Sequence, residues 1–529
     1  MRWKNIYPYL IAAILLFSLI VRLPALDLRP MHGDEAVNAV KFGTLLEHGT
    51  YTYDPSEYHG PTLYFFSLPP AFFQSIRTFS NLNEQTLRLV PVILGFLLLA
   101  GMLFLIKSVD RPVLIITLLF LAISPANVYY NRYYIHETLL VFFSVALLIS
   151  IFIYLRSRQT AALILAGIFL GLMVSTKETW IIYLFAICTG FLATFKFKEI
   201  IAELRWPPLV IFFSSALFIC LLFYTSFFTN PAGLSDAFVS FKNYFSRASA
   251  NQLHRHSWDY YLSLLIFFKN DPVYFWTEGL LVLFSLTGSI LVFRDIMVSA
   301  NEQPLMRFTA AYTVCLIVVF SIIPYKTPWN LLGFLPGMAL LAGFAMLRVY
   351  TWLAGKTYRI IYTGILIIAF LHLFWETLQL NFVFPADPLN PYVYAHPLPD
   401  VFKIAQSVKD ITDHHPQGNN LHIQVVAKDN DYWPLPWYLR KYSRVGWWSE
   451  MPGAEALAPL IIINADLESE LISRLYVERP PGRQDLYIPL FDQTVFLRPG
   501  IEFRAYLKKD DWDLAQQADP GLIQGPQIK

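Results

Sequence analysis

Charge is what this chain has least of. Asp, Glu, Lys and Arg make up 15% of its 529 residues, and 40 basic side chains almost cancel 38 acidic ones, for a formal net charge of +2. A soluble chain carries about a quarter charged residues, so much of this one has lipid rather than water as its solvent. The near-neutral balance excludes the basic surface that a nucleic-acid partner needs. Cysteine is scarce too: Cys188, Cys220 and Cys315 all fall inside apolar runs, where a thiol behaves as a small hydrophobe. That excludes a disulfide framework and a CxxC metal motif. Soluble-enzyme fingerprints are missing. Gly355-Lys356-Thr357 ends like a phosphate-binding loop, but Tyr350 stands where its first glycine belongs. His136-Glu137 opens like a zinc-protease helix, but position 140 is Leu. No GxSxG elbow, dinucleotide fingerprint, internal repeat or low-complexity tract occurs.

Long apolar runs dominate instead. Hydrophobic residues reach 56%, with a mean hydropathy of +0.46. A membrane-spanning helix needs roughly 20 such residues, and about eleven runs fit: 6–26, 88–107, 112–125, 138–155, 160–176, 180–195, 207–228, 275–293, 308–324, 329–347 and 360–380. The first follows a short basic start (Arg2, Lys4) and is too long for a cleaved signal, so it reads as a retained anchor. Arg2/Lys4, Lys107/Arg111, Arg156/Arg158, Lys196/Lys198/Arg205, Arg294/Arg307 and Arg348/Lys356/Arg359 fall on one side. The positive-inside rule makes that side, with the N-terminus, cytoplasmic. The outer side then carries a long first loop (27–87), loops near 131–137, 177–178, 229–274 and 325–329, and everything after 381.

The first loop can form an amphipathic helix over Asp34–Glu47 and an aromatic one over Pro61–Phe79, both suited to the membrane interface. Leu234–Phe245 suits a third. After Phe384 the prolines at 385, 388, 391, 397 and 399 mark a linker. The domains are thus a membrane region, 1–384, and a water-exposed α/β domain, 385–529. In the latter, Val401–Asp413 reads as a helix, Leu421–Ala427 and Leu460–Ile463 as buried strands, and Leu486–Leu497 as one or two more. The aromatic stretch from Tyr432 to Arg440 suits packing against the membrane region, and the tail from Gln516 reads as mobile.

Chemistry-bearing residues gather on the outer loops: Asp34, Glu35, His59, Arg132, Glu137, Lys177, His254, His256 and Lys326. Lys177 and Lys326 lie at outer helix ends, against the charge bias. An anionic ligand at that face accounts for them; so does a snorkelling side chain, or a pair with a neighbour such as Glu178. A carboxylate can take a proton from a reacting hydroxyl. His and carboxylate groups can hold a divalent cation, and lysine or arginine a phosphate. These are the parts needed to transfer a group from a lipid phosphate.

The chain resembles the GT-C superfamily of membrane glycosyltransferases that use polyprenyl-phosphate sugars, which includes protein O-mannosyltransferases and the lipid A aminoarabinose transferase. It is most similar to the prokaryotic group labelled flippase-activity-associated in N-glycosylation. The resemblance is carried, in order, by Met31-His32-Gly33-Asp34-Glu35-Ala36, Tyr58-His59-Gly60-Pro61-Thr62, Asn131-Arg132-Tyr133-Tyr134-Ile135-His136-Glu137, Ser175-Thr176-Lys177-Glu178, His254-Arg255-His256 and Tyr325-Lys326-Thr327-Pro328-Trp329. It implies an all-α membrane bundle bearing the α/β domain, a polyprenyl-phosphate sugar as partner, Asp34 as catalytic base and Glu35 as its support. It implies His59 and His254 as metal ligands, with His256 as substitute for the second, and Tyr58, Arg132, Glu137, Lys177, His256 and Lys326 as donor or substrate contacts. Gly60 stands where the aminoarabinose-transferase branch has a phosphate-binding lysine, so Lys177 or Lys326 takes that contact; Val37 replaces the branch's arginine. A flippase component or a scaffold for glycosylation is the rival reading, and near-absence of mid-helix charge ranks the flippase second.

Overall fold

A computed structural model describes residues 6–55, 59–203, 205–240, 254–270, 272–453, 457–480, 482, 484–491 and 493–518. The chain divides into two compact units. One comprises Met1–Leu26, His48–Ser75 and Gln85–Tyr394; the other, Asp27–Glu47, Ile76–Glu84 and Ala395–Lys529.

The first unit is helical, and each of the eleven apolar runs contains a helix. Six are long and apolar enough to cross a membrane: Glu84–Lys107, Glu137–Ser157, Trp206–Tyr224, Gln303–Ile322, Leu335–Trp352 and Lys356–Val383. The others, Tyr7–Arg22, Arg111–Ile123, Thr160–Val174, Trp180–Thr194 and Gly279–Phe293, are shorter than their apolar runs. The reason is visible at their ends. The first run leaves the helix after Arg22 for a turn in which Ala25 has φ +50°. The run from 275 begins with a bridge between Trp276 and Phe268 before the helix starts at Gly279. Two helices touch at main-chain distance where glycines are four apart. A Cβ on Gly167 would lie 2.3 Å from the Phe212 carbonyl oxygen, and one on Gly171 would lie 2.5 Å from that of Ala216. Small residues at this spacing let apolar helices approach in lipid, where the hydrophobic effect cannot drive them together.

The aromatic segment of the first loop forms the helix Thr62–Phe73, shorter than the sequence suggests because the chain turns at Gln74 and Ser75, the latter at φ +57°. Residues 233–240 are helical; the remainder of the helix expected to Phe245 lies outside the described residues.

The second unit is built on a six-stranded sheet of β1 (Ile423–Val426), β2 (Val445–Trp448), β3 (Leu460–Asn464), β4 (Tyr487–Pro489), β5 (Val495–Arg498) and β6 (Ile501–Lys508), in the order β2-β1-β3-β6-β4. β1 runs parallel to β2 and β3, whereas β6 is antiparallel to β3 and to β4 and β5, which share its other edge. Both β1 and β3 are buried along their whole length, which is why, apart from Gln424 and Asn464, they are apolar on both faces. The helix Asp400–His414 covers one face through Val401, Ile404, Val408 and Ile411, the spacing of one helical stripe. Leu471 and Leu475 cover the other face against Ile461 and Ile463.

Also in this unit is the helix Gly33–His48, the first-loop helix expected from Asp34. The aromatic stretch around Tyr432–Arg440 packs against two first-loop segments of the same unit. Tyr438 Oη accepts the Met31 amide at 2.9 Å, and Trp437 Nε1 donates to Glu84 at 2.7 Å. The C-terminal helix reaches Ala518, so Gln516 is ordered; the tail beyond lies outside the described residues.

Candidate active site

Within the second unit, the two adjacent carboxylates have opposite surroundings. Glu35 is completely buried, and its Oε2 accepts the His32 amide at 3.0 Å while Oε1 lies 3.4 Å from the Arg29 guanidinium. Together these contacts hold the entry turn of the helix. The Asp34 side chain is 57% exposed, and one of its oxygens lies 3.8 Å from His32 Nδ1. That Nδ1 accepts the Asp34 amide at 3.0 Å, which places the proton of the neutral ring on Nε2. Both carboxylates stand in the first turn of the helix, whose unpaired N–H groups favour negative charge. One carboxylate is spent on structure and its neighbour is left available.

A second group lies in the helical unit, where His59–Thr62 docks on the turn Ser175–Glu178. The Gly60 amide donates to the Thr176 carbonyl at 3.0 Å and the Thr62 amide to that of Ser175 at 3.2 Å. The Thr62 and Thr176 hydroxyls pair at 2.8 Å, and His136 Nε2 meets the Gly60 carbonyl at 3.1 Å, so Nε2 carries the His136 proton. Glycine is required at position 60, because a Cβ there would lie 2.2 Å from the Ser175 carbonyl oxygen. This explains why no basic side chain occupies it.

On this scaffold sit two charged pairs. His59 Nδ1 donates to Glu178 Oε2 at 2.6 Å, and Lys177 pairs with Glu137. The carboxylate on Lys177 is thus Glu137, while the adjacent Glu178 serves His59. Burial pushes the Glu178 carboxyl up, but the charge and hydrogen bond of His59 outweigh it and hold the group below the usual carboxylate range. Burial, aided by His59 and Lys177, drives His136 well below the ordinary imidazole value, so that ring is neutral.

His254, His256 and Lys326 form a third group. Tyr394 Oη lies 2.5 Å from His254 Nδ1 and 3.2 Å from His256 Nε2. A phenol has one proton to give, so it donates to one ring and accepts from the other. The Lys326 amide donates to the His254 carbonyl, and its Nζ donates to the carbonyls of Ile323 (2.6 Å) and His256 (3.1 Å). Lys326 is 1% exposed. Burial lowers its pKa; Asp259 opposes this by charge. Burial, His254 and Lys326 lower that of His256. Trp329 joins this group to the Glu137 loop, its ring 5.9 Å from Tyr394 and 6.1 Å from Tyr133.

The remaining expected contacts are placed as follows. Arg132 donates to the carbonyls of Val21 (3.1 Å) and Ala25 (2.9 Å), with its guanidinium over the Phe382 ring. It thereby clamps the exit of the first helix. Tyr58 lies outside the described residues. With a carboxylate on Nδ1, Nε2 of His59 is a lone-pair donor in the neutral form of the ring. His254 Nδ1, by contrast, is taken up by Tyr394. Among the described residues no three His, Cys, Asp or Glu side chains converge. Sequence reasoning missed Tyr394, Arg29 and the structural use of His136, since a tyrosine in a linker or an arginine in a turn carries no spacing signal.

Residues 67–224 match the family described as dolichyl-phosphate-mannose-protein mannosyltransferase. No curated protein matches by sequence. The structure of ArnT from Cupriavidus metallidurans bound to undecaprenyl phosphate is similar with a TM-score of 0.60 at 14% identity, over 93% of this chain and 97% of that one. Its apo state matches with a TM-score of 0.60 at 15% identity, over 96% and 98%. The oligosaccharyltransferase of Archaeoglobus fulgidus, tethered with an acceptor peptide, matches with a TM-score of 0.56 at 11% identity, over 90% of this chain and 71% of that one. At such identities the structural likeness is one of fold. The chain thus shares its fold with these membrane glycosyltransferase structures over most of its length, and residues 67–224 carry the mannosyltransferase pattern.

Proposed function

We propose that this protein moves a sugar from a polyprenyl-phosphate donor to an acceptor hydroxyl or amide at the outer membrane face, with inversion. Asp34 takes the proton of the acceptor as its heteroatom attacks the anomeric carbon. The bond from that carbon to the phosphate oxygen breaks, and the polyprenyl phosphate leaves with the electron pair. The observation that carries the reading is the division between the exposed Asp34 and the buried, engaged Glu35. A general base must be reachable and a supporting group must not move. Undecaprenyl phosphate in the ArnT structure supports the donor class.

Of the two lysines considered for the departing phosphate, Lys326 is the better candidate. Its ammonium donates to two main-chain carbonyls and feels Asp259 only through space, whereas Lys177 is paired directly with Glu137. An arriving phosphate would supply Lys326 with the counter-charge that burial denies it. No step is assigned to a metal.

The test is transfer of label from undecaprenyl-phosphate-linked mannose, glucose and aminoarabinose, in liposomes containing the purified protein and an envelope lipid and protein fraction. Asp34→Asn should lower the rate by about 10²–10⁴-fold, the usual contribution of a general base. Undiminished transfer by Asp34→Asn overturns the proposal. A wild-type protein that moves labelled lipid across the bilayer but transfers no sugar supports the flippase reading instead.

A further inference from the structure

The C-terminal sheet domain holds both ends of the helix that carries Asp34. At the N-terminal end, Met31 is fully buried and its amide donates to Tyr438 Oη at 2.9 Å, three residues before Asp34. Gly33 faces Trp433, whose Cβ would lie 3.8 Å from a Cβ at that position, and the His32 and His396 rings stand 5.1 Å apart. The C-terminal end is held through the arch at residues 76–84. Glu47 accepts the Phe79 amide at 2.7 Å, and the Phe79 ring packs against Gly43 and lies 6.0 Å from Trp437. That arch is gripped by the same short segment of the sheet domain. Trp437 Nε1 donates to Glu84 at 2.7 Å, and Arg440 puts Nε (3.1 Å) and Nη2 (2.6 Å) on the Leu82 carbonyl. Arg440 is itself fixed, its guanidinium 3.8 Å above the Trp437 ring and its Nη1 on the Trp437 carbonyl at 2.6 Å.

A helix held at one end pivots; one held at both ends has a fixed axis and rotation. Exposed side chains gain precision only from the backbone beneath them, and misplacing a reacting group by about 1 Å costs on the order of 10²-fold in rate. We propose that Tyr438, Trp437 and Arg440 are positioning residues for Asp34, so that the C-terminal domain sets the catalytic geometry of a helix belonging to the first loop. This rests on the glycosyltransferase reading above.

The experiment uses the full chain in liposomes with the donor that wild type accepts, and compares Tyr438→Phe and Arg440→Lys with wild type and Asp34→Asn. Tyr438→Phe removes one oxygen and keeps the ring. The expected result is a fall in kcat of about tenfold, with KM for the donor within about twofold. Amide hydrogen exchange should rise in peptides from 27–47 and stay unchanged in β1 and β3. Unchanged exchange in 27–47 overturns the inference, as does a loss confined to KM or a general loss of protection across the domain. If Asp34→Asn is inactive while Tyr438→Phe turns over at the wild-type rate, the positioning role alone falls. If Asp34→Asn retains its rate, the glycosyltransferase reading falls first.

Discussion

Replacing Gly60 by alanine tests the docking of the His59 loop on the Ser175–Glu178 turn. The added Cβ would meet the Ser175 carbonyl oxygen at 2.2 Å, its carbon at 2.4 Å and the Thr176 nitrogen at 2.9 Å. All three are main-chain atoms, so no side chain can swing aside. Restoring ordinary contact near 3.4 Å requires the loop to retreat by about 1 Å, which takes the 3.0 Å bond from the Gly60 amide to the Thr176 carbonyl beyond hydrogen-bonding range. One or two buried polar groups are then unsatisfied, at about 1–3 kcal/mol each, and residual overpacking adds about 1–3 kcal/mol. The expected loss of stability is at least about 2 kcal/mol. Unfolding of the purified protein in mixed micelles, followed by circular dichroism, measures it. Gly364→Ala is the control: Gly364 lies within the helix Lys356–Leu378 with nothing within 4 Å of its Cβ position, and alanine there should be neutral or stabilise by up to about 1 kcal/mol. If Gly60→Ala lies within about 0.5 kcal/mol of that control, the docking described here is wrong.

Two further perturbations address the charges on that scaffold. Lys177 and Glu137 are 9% and 5% exposed at their side chains, so Glu137→Gln, which removes the carboxylate facing a buried ammonium, should cost about 3–5 kcal/mol rather than the 1 kcal/mol or less of a surface pair; in a double-mutant cycle, Glu137→Gln with Lys177→Met should cost clearly less than the two single changes summed, and strict additivity would refute the pair. Acidification should destabilise the protein. His136 in the fold titrates well below its ordinary value, so below about pH 6.5 the unfolded chain binds a proton that the folded one refuses, at up to about 1.4 kcal/mol per pH unit. The lowered Glu178 carboxyl acts in the same direction, its contribution being lost as pH falls through the folded value. A melting temperature that is flat between pH 7.5 and 5, or a slope that His136→Asn leaves unchanged, would contradict this.

The membrane helices were legible in the sequence because lipid leaves little choice: a backbone in hydrocarbon must satisfy its own hydrogen bonds, and the apolar runs mark where. The strands β1 and β3 were legible for a related reason, being buried on both faces. β2 and β6 were not, since Val445–Trp448 contains a glycine and two tryptophans, and Ile501–Lys508 interleaves Glu502, Arg504 and Lys508 with its buried positions. The site was half legible. Residue types and order pointed to these loops, but partner choice did not follow from proximity in sequence. Lys177 faces Glu137, 40 positions away, while His59 reaches Glu178, 119 positions away. Arg132 reads as a phosphate contact by type, and nothing in the local sequence shows that its guanidinium also donates to the carbonyls that end the first helix.

The second compact unit is assembled from three separate stretches of chain, 27–47, 76–84 and 395–529. During synthesis the two early stretches emerge first, and their partners follow only after several hundred intervening residues have been made. Until then the Gly33–His48 helix has only the 76–84 arch of its own unit beside it, at Gly43 and Glu47. Closing so long a gap adds little entropic cost, because the penalty grows only as the logarithm of length; the delay is one of time. A chain stopped before residue 395 therefore carries the Gly33–His48 helix without Tyr438, the partner that holds its N-terminal entry.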